Sequence, residues 1–489
     1  MHRCGGEDIG GEIGDGKRKV FKVPKRHYRR GSFLGIIKLM SKFLTKLRNF
    51  WRQLGPGLIT GAVDDDPSSI VTYAIAGAKL GLAALWTALF TLPFMIIIQR
   101  MAGRIGLISG RGLAGNMKKH YPKWILLIIA VLIVGTNIIN IGADISAMSA
   151  SINLLVPQIS PIFFSALIPL VLVALLILLP YHKTANYLKW IALVMFSYVI
   201  AAFFVRLDWS QILYRTVIPQ IVHSKDYLMI IVAIFGTTIS PYLFFWQASG
   251  AVEEELLHQY PPKKDSPRLA SQRSGFGEAG GGVMIPGVEP HVKHRSTYII
   301  KNEISAMYKD VRYGMVFSNL LTFFIITLCA FTLFKTGSIN VNTVREIASA
   351  LKPLAGPYSN FLFLLGILAA GTLAIPVLAG SASYALSEMF GWRWGFYNNF
   401  HRAKQFYIVI IIATLLGIAI PALNLHPVQI LVWTAVLCGL ISPPLILLLI
   451  HMANNPKIMG QYTSRLHSNI IAYLLFLIMT GSIILMFTL

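Results

Sequence analysis

The chain is short of charge and almost without cysteine. Charged residues fill 13% of its 489 positions, against about 25% in a soluble domain, which excludes an ordinary water-soluble globule. Three cysteines, Cys4, Cys329 and Cys438, cannot build a disulfide framework. The last two lie in apolar runs, where cysteine serves as a small packing residue. The first thirty residues lack the apolar core of a cleaved secretory signal, so the first hydrophobic helix must direct insertion. There is no Walker A or B pattern and no pair of carboxylates placed for hydrolysis, which argues against ATP coupling and against an enzyme. Histidines fall only in tails, loops or the ends of apolar runs, so none forms a metal cluster or a general base.

What is present is hydrophobic sequence in long blocks: 55% of the residues are hydrophobic and the mean hydropathy is +0.63. Runs of spanning length predict eleven helices of an all-α polytopic membrane protein, near 57–80, 82–101, 124–155, 162–181, 187–205, 228–252, 313–334, 358–390, 406–423, 428–451 and 469–489. The formal charge of +23 would suggest nucleic acid in a soluble chain, but here it sits in loops and tails and no nucleic-acid partner is expected. With the amino terminus in the cytoplasm, every Lys and Arg falls on the inner side except Lys79, Arg206, Arg215, Lys225, Lys335, Arg345 and Lys352. That asymmetry supports the count of helices and places the carboxyl terminus outside, with the plasma (inner) membrane as the expected location.

Four parts follow. Residues 1–52 form a basic cytoplasmic tail ending in an amphipathic helix over 33–52, which suits either anionic lipid at the inner leaflet or the protein's own cytoplasmic face. Residues 53–205 and 226–451 are two five-helix halves, the second interrupted by a flexible cytoplasmic loop at about 256–296, and 469–489 is the eleventh span.

Two spans are broken. Asp64-Asp65-Asp66-Pro67 lies inside the first, where each acid at mid-bilayer costs about 2.5–3.5 kcal/mol even on the lenient scale. Proline removes a helix hydrogen bond and pushes its predecessor out of the α region, so one half-helix ends before Asp66 and another starts at Pro67. Gly236-Thr237-Thr238-Ile239-Ser240-Pro241-Tyr242 interrupts the sixth span in the same way. The breaks fall at corresponding positions of two halves, and because five is odd those halves are inverted, a pattern that points to a transport site at the midplane. Alternatively Asp66-Pro67 is only a capped kink, with Asp64 and Asp65 hydrogen-bonded to backbone. Carboxylate, hydroxyl and carbonyl oxygens suit Mg²⁺, Mn²⁺ or Ca²⁺, and neither broken segment holds Cys, His or Met. Asn137, Asn140 and Asp144 share one face of the third span, as a polar wall or proton route or as interhelical hydrogen bonds. Glu388 and Glu253 to Glu255 read as interfacial, or as acids drawing cations to the inner mouth.

Gly55-Pro56-Gly57, Asp66-Pro67, Ser240-Pro241-Tyr242 and the eleven-helix layout resemble the natural resistance-associated macrophage protein (NRAMP) family of divalent metal transporters, over about residues 50–489. The resemblance implies a LeuT-like fold of two inverted repeats of five helices plus an eleventh. It also implies that metal binds at Asp66, at Ser69 in the family's asparagine position, at Ser240 in its methionine position and at the Thr237 carbonyl. The family's two histidines fall on Tyr242 and Gln247. The loss of methionine and histidine makes these stretches most similar to the branch of NRAMP-related magnesium transporters. The expectation is therefore import of Mg²⁺ and Mn²⁺ as substrates, by uniport without proton coupling and with no resident cofactor. Asp64, Asp65, Tyr242, Gln247, Asn137, Asn140 and Asp144 would line or support the path. The alternatives are a proton-coupled Mn²⁺/Fe²⁺ importer of the main family type, an amino-acid transporter that Asp66 disfavours, and a metal sensor without flux.

Overall fold

Pro67 sets the first boundary: it opens helix α1 (Pro67–Leu80), leaving Asp66 as an extended N-cap whose side chain accepts from the Ser69 amide. The computed structural model describes residues 61–178, 194–259, 297–335, 337, 343–423 and 425–488. The tail, for which an amphipathic helix and lipid contact are expected, Gly55-Pro56-Gly57, and most of residues 256–296, expected as a loop, lie outside the described residues. After α1 come α2 (Trp86–Ser109), α3 (Lys123–Asn153), α4 (Pro161–Leu178), α5 (Phe196–Phe203) and α6 (Lys225–Thr238). The second half continues with α7 (Pro241–Gln259), α8 (Thr297–Cys329), α9 (Ser359–Phe390), α10 (Lys404–Gly417), α11 (Pro427–Asn454) and α12 (Leu466–Thr488). No strand occurs among the described residues, and eight helices there are long and apolar enough to cross a membrane.

Both predicted breaks are present. Residues 61–64 are helical, 65 and 66 are not, and α1 resumes at Pro67; α6 stops at Thr238 and α7 restarts at Pro241. The broken elements form the centre of the bundle. In α1 every residue before Lys79 is buried, and the apolar stretch of the broken sixth span is 89% buried against 22% for that of α12. Around this centre α1 packs on α6, α8 and α11, α7 packs on α2, and α3 packs on α9. Glycines permit the closest approaches: a Cβ at Gly61 would lie 2.1 Å from the Gly314 carbonyl oxygen of α8, and one at Gly236 would lie 2.1 Å from the Ala435 oxygen of α11.

The structure departs from the sequence-based bounds on either side of the 256–296 loop. Helix α8 begins at Thr297 rather than near 313. Its polar start still carries a buried stripe, with Met307, Val311 and Met315 at helical spacing, whereas hydropathy marks only where the bilayer begins. Helix α7 likewise runs on to Gln259, so residues 256–259, expected as the start of the flexible loop, are helical.

Candidate metal site

At the first break the chain folds its own polar groups around one carboxylate. Asp66 Oδ1 accepts from the Ser69 amide at 2.7 Å and from the hydroxyls of Ser68 and Ser69 at 2.6 and 2.8 Å. Its Oδ2 accepts from Asn140 Nδ2 of α3 at 3.0 Å. Asp66 is only 2% exposed and none of these four donors carries charge, so a bound cation would supply the countercharge that they do not. Ser69 Oγ also lies 2.7 Å from the Asp64 carbonyl oxygen, tying the two half-helices together.

Asp144, one turn beyond Asn140 on α3, is fully buried, and neither of its oxygens has a hydrogen-bond partner. The Ser68 amide approaches it outside hydrogen-bond geometry, and Asp66 lies within electrostatic range. Asn137 is otherwise employed: its Nδ2 donates to the Leu378 carbonyl of α9 at 2.9 Å, fixing α3 against that helix.

At the second break the oxygens turn inward on the backbone. Ser240 Oγ donates to the Thr237 carbonyl and has the Gly236 carbonyl at 3.3 Å. The Thr237 hydroxyl is taken up by its own helix, 3.2 and 3.1 Å from the carbonyls of Ala233 and Ile234, so only its carbonyl faces the break. Two bonds stitch the breaks together: Tyr242 OH donates to the Val63 carbonyl at 3.3 Å, and Tyr73 OH lies 3.0 Å from Thr238 Oγ1. Tyr242 thereby stands in the field of Asp64, Asp66 and Asp144. The freed carbonyls are framed from outside, Ile239 by Ser442 Oγ of α11 at 2.9 Å and Tyr242 by Ser381 Oγ of α9 at 2.5 Å.

The structure thus gathers Asp66, Ser69, Asn140, Asp144 and Tyr242, with Thr237 and Ser240 at the facing break. It does not bring Gln247 there: a Cβ on Gly103 of α2 would lie 3.2 Å from the Gln247 amide nitrogen, which packs beside Met307 two turns along α7. Among the described residues no three His, Cys, Asp or Glu side chains converge as a metal-binding group. An ion held at Asp66 would meet its carboxylate and the neutral oxygens of Ser68 and Ser69.

The sequence profile of the natural resistance-associated macrophage protein-like family matches residues 57–489. The chain belongs to this family. Among relatives of the NRAMP chain, the divalent metal cation transporter MntH of Caldanaerobacter subterraneus is 22% identical over 445 residues, covering 89% of this chain and 90% of the relative. The MntH of Listeria welshimeri is 23% identical over 344 residues, covering 68% and 66%. The manganese transporter of Eremococcus coleocola superposes with a TM-score of 0.66 at 15% identity over 88% of this chain and 86% of that one. The inward-facing conformation of Mhp1 superposes at 0.51 and 10% identity, over 88% and 90%. The fold is LeuT-like, and family members are membrane transporters rather than enzymes.

Two acids expected at the interface are instead buried in this NRAMP fold. Glu388 of α9 accepts from the amides of Gly112 at 2.9 Å and Gly115 at 2.8 Å, with Ser249 Oγ of α7 at 3.3 Å. Glu253 of α7 accepts from Tyr384 OH at 2.9 Å and the Phe396 amide at 2.8 Å. Both carboxylates find backbone amides distant in sequence, which composition alone does not reveal. A Cβ at Gly112 would lie 2.2 Å from Glu388 Oε1. Gly112→Ala is expected to displace this carboxylate and to cost about 1.5–3 kcal/mol, the worth of a hydrogen bond to a charged group. It should lower the thermal midpoint of detergent-purified protein, and an unchanged midpoint would show that the contact carries no stability.

Proposed function

We propose that this chain is a divalent metal cation transporter that takes up Mg²⁺, and Mn²⁺ beside it, by uniport. Family membership and the MntH relatives support the transport of divalent metal. One observation carries the choice of ion: the candidate ligands at the two breaks are the Asp66 carboxylate with hydroxyl and carbonyl oxygens, and Ser240 stands where a thioether would favour softer metals. Mg²⁺ sheds water reluctantly and is commonly held by one or two carboxylates while it keeps several waters. One acid flanked by small serines fits that habit. The membrane potential drives import, since two charges crossing about 100 mV gain about 4.6 kcal/mol.

Competition tests this reading. Mg²⁺ in excess should raise the apparent KM for Mn²⁺ uptake into proteoliposomes without lowering the maximal rate, and indifference of Mn²⁺ uptake to Mg²⁺ would overturn it. Asn140→Ala, which removes the amide that orients Asp66 Oδ2, should weaken the apparent metal affinity about tenfold or more. Equal concentration dependence in variant and wild type would remove Asn140 from the site. A second reading, proton-coupled Mn²⁺/Fe²⁺ import, is favoured by the buried, unpartnered Asp144 beside Asp66. It predicts acidification of the vesicle lumen in step with metal uptake.

A further inference from the structure

The three consecutive acids of the first break do not face one way. Asp66 turns to α3, where Asn140 holds it. Asp64 and Asp65 turn to α8, where the single hydroxyl of Ser318 lies 2.8 Å from Asp64 Oδ2 and 3.3 Å from Asp65 Oδ1. This placement follows from the packing: the Gly61 and Gly314 backbones nearly touch, so the residues that follow each glycine stay in register.

Ser318 has one proton for two carboxylates. The remaining oxygens, Asp64 Oδ1 and Asp65 Oδ2, have no hydrogen-bond partner, and both residues are fully buried. Among the described residues their charged neighbours are only each other and Asp66. Two adjacent buried carboxylates with open acceptors and no countercharge make an expensive arrangement. Neutral oxygens gather at the same place. Tyr73 OH stands in the field of both acids, 3.0 Å from Thr238 Oγ1 and beside the Thr322 hydroxyl, one turn along α8 from Ser318.

We infer that Asp64, Asp65 and Ser318 form a second cation site, separate from the Asp66 site and on the opposite side of the unwound strand, which takes a hard divalent ion. Two carboxylates match a double positive charge, and a donor set without sulfur or imidazole suits Mg²⁺, Mn²⁺ or Ca²⁺. Ser318, whose hydroxyl donates to these carboxylates, would turn its lone pairs to the metal. The bound ion would pin the broken first helix to α8.

The test is the stoichiometry of Mn²⁺ binding to the full chain in lipid nanodiscs, read from the paramagnetic resonance of free Mn²⁺. Wild type should bind two ions, close enough to broaden each other's resonance. Asp66→Ala should keep one, and the double variant Asp64→Asn with Asp65→Asn should also keep one. Ser318→Ala, a milder change on a helix that stays intact, should weaken only one of the two binding steps, by about tenfold. A single ion in wild type that disappears with Asp66→Ala would overturn the second site. Failure of the Asp66 site looks different: wild type would bind a single ion, which persists in Asp66→Ala and is lost in the double asparagine variant.

Discussion

Asp66→Ala is expected to abolish saturable divalent-metal flux in proteoliposomes while the protein keeps its elution profile and melting behaviour. Asp66 is held at the first break by direct hydrogen bonds from Ser68, Ser69 and Asn140. Removing one member of a buried charge pair costs about 3–5 kcal/mol, which is a loss of at least about a hundredfold in affinity. The fold should tolerate the change. Alanine withdraws one N-cap acceptor from α1, worth about 1 kcal/mol, while Pro67 still opens the helix and the Tyr242–Val63 and Tyr73–Thr238 bonds still join the breaks. Flux close to wild type in a folded Asp66→Ala protein would mean that the ion passes elsewhere.

The second large effect is one of selectivity. Ser240→Met places a thioether at the helix-six break in exchange for a hydroxyl that now donates to the Thr237 carbonyl. A soft sulfur ligand gains more from Mn²⁺ or Cd²⁺ than from Mg²⁺, and it crowds the water that Mg²⁺ retains. The ratio of Mn²⁺ to Mg²⁺ uptake should rise about tenfold, chiefly through weaker Mg²⁺ uptake. An unchanged ratio would remove Ser240 from the coordination sphere and leave the helix-six break as backbone scaffolding.

Both effects trace to features that are plain in the chain itself. Asp64-Asp65-Asp66-Pro67 and Ser240-Pro241 violate the apolar pattern around them, and backbone rules say what a proline does to the preceding residue. The breaks were therefore legible, as was the Asn140 and Asp144 face of α3. What lay hidden depends on partners remote in sequence. Ser318 on α8 looks like any small residue on an apolar helix until Gly61 meets Gly314 and brings two aspartates to its hydroxyl. Glu388 and Glu253 look like acids at a water boundary until the Gly112, Gly115 and Phe396 amides enclose them. Cys438, read as packing, is buried, and it also lies in the field of Asp66 and Asp144. The polar start of α8 is not legible because hydropathy reports the apolar span, while the helix follows its own hydrogen bonds beyond it.

The proposed route is an uncoupled magnesium pathway through the Asp66 break. Its most direct test is Mg²⁺ uptake into proteoliposomes that hold a Mg²⁺-sensitive dye, with a pH dye in parallel and a negative-inside potential imposed. The expected result is saturable Mg²⁺ influx that steepens with the potential and leaves the lumen pH unchanged. Mn²⁺ influx with acidification of the lumen and no Mg²⁺ signal would contradict it.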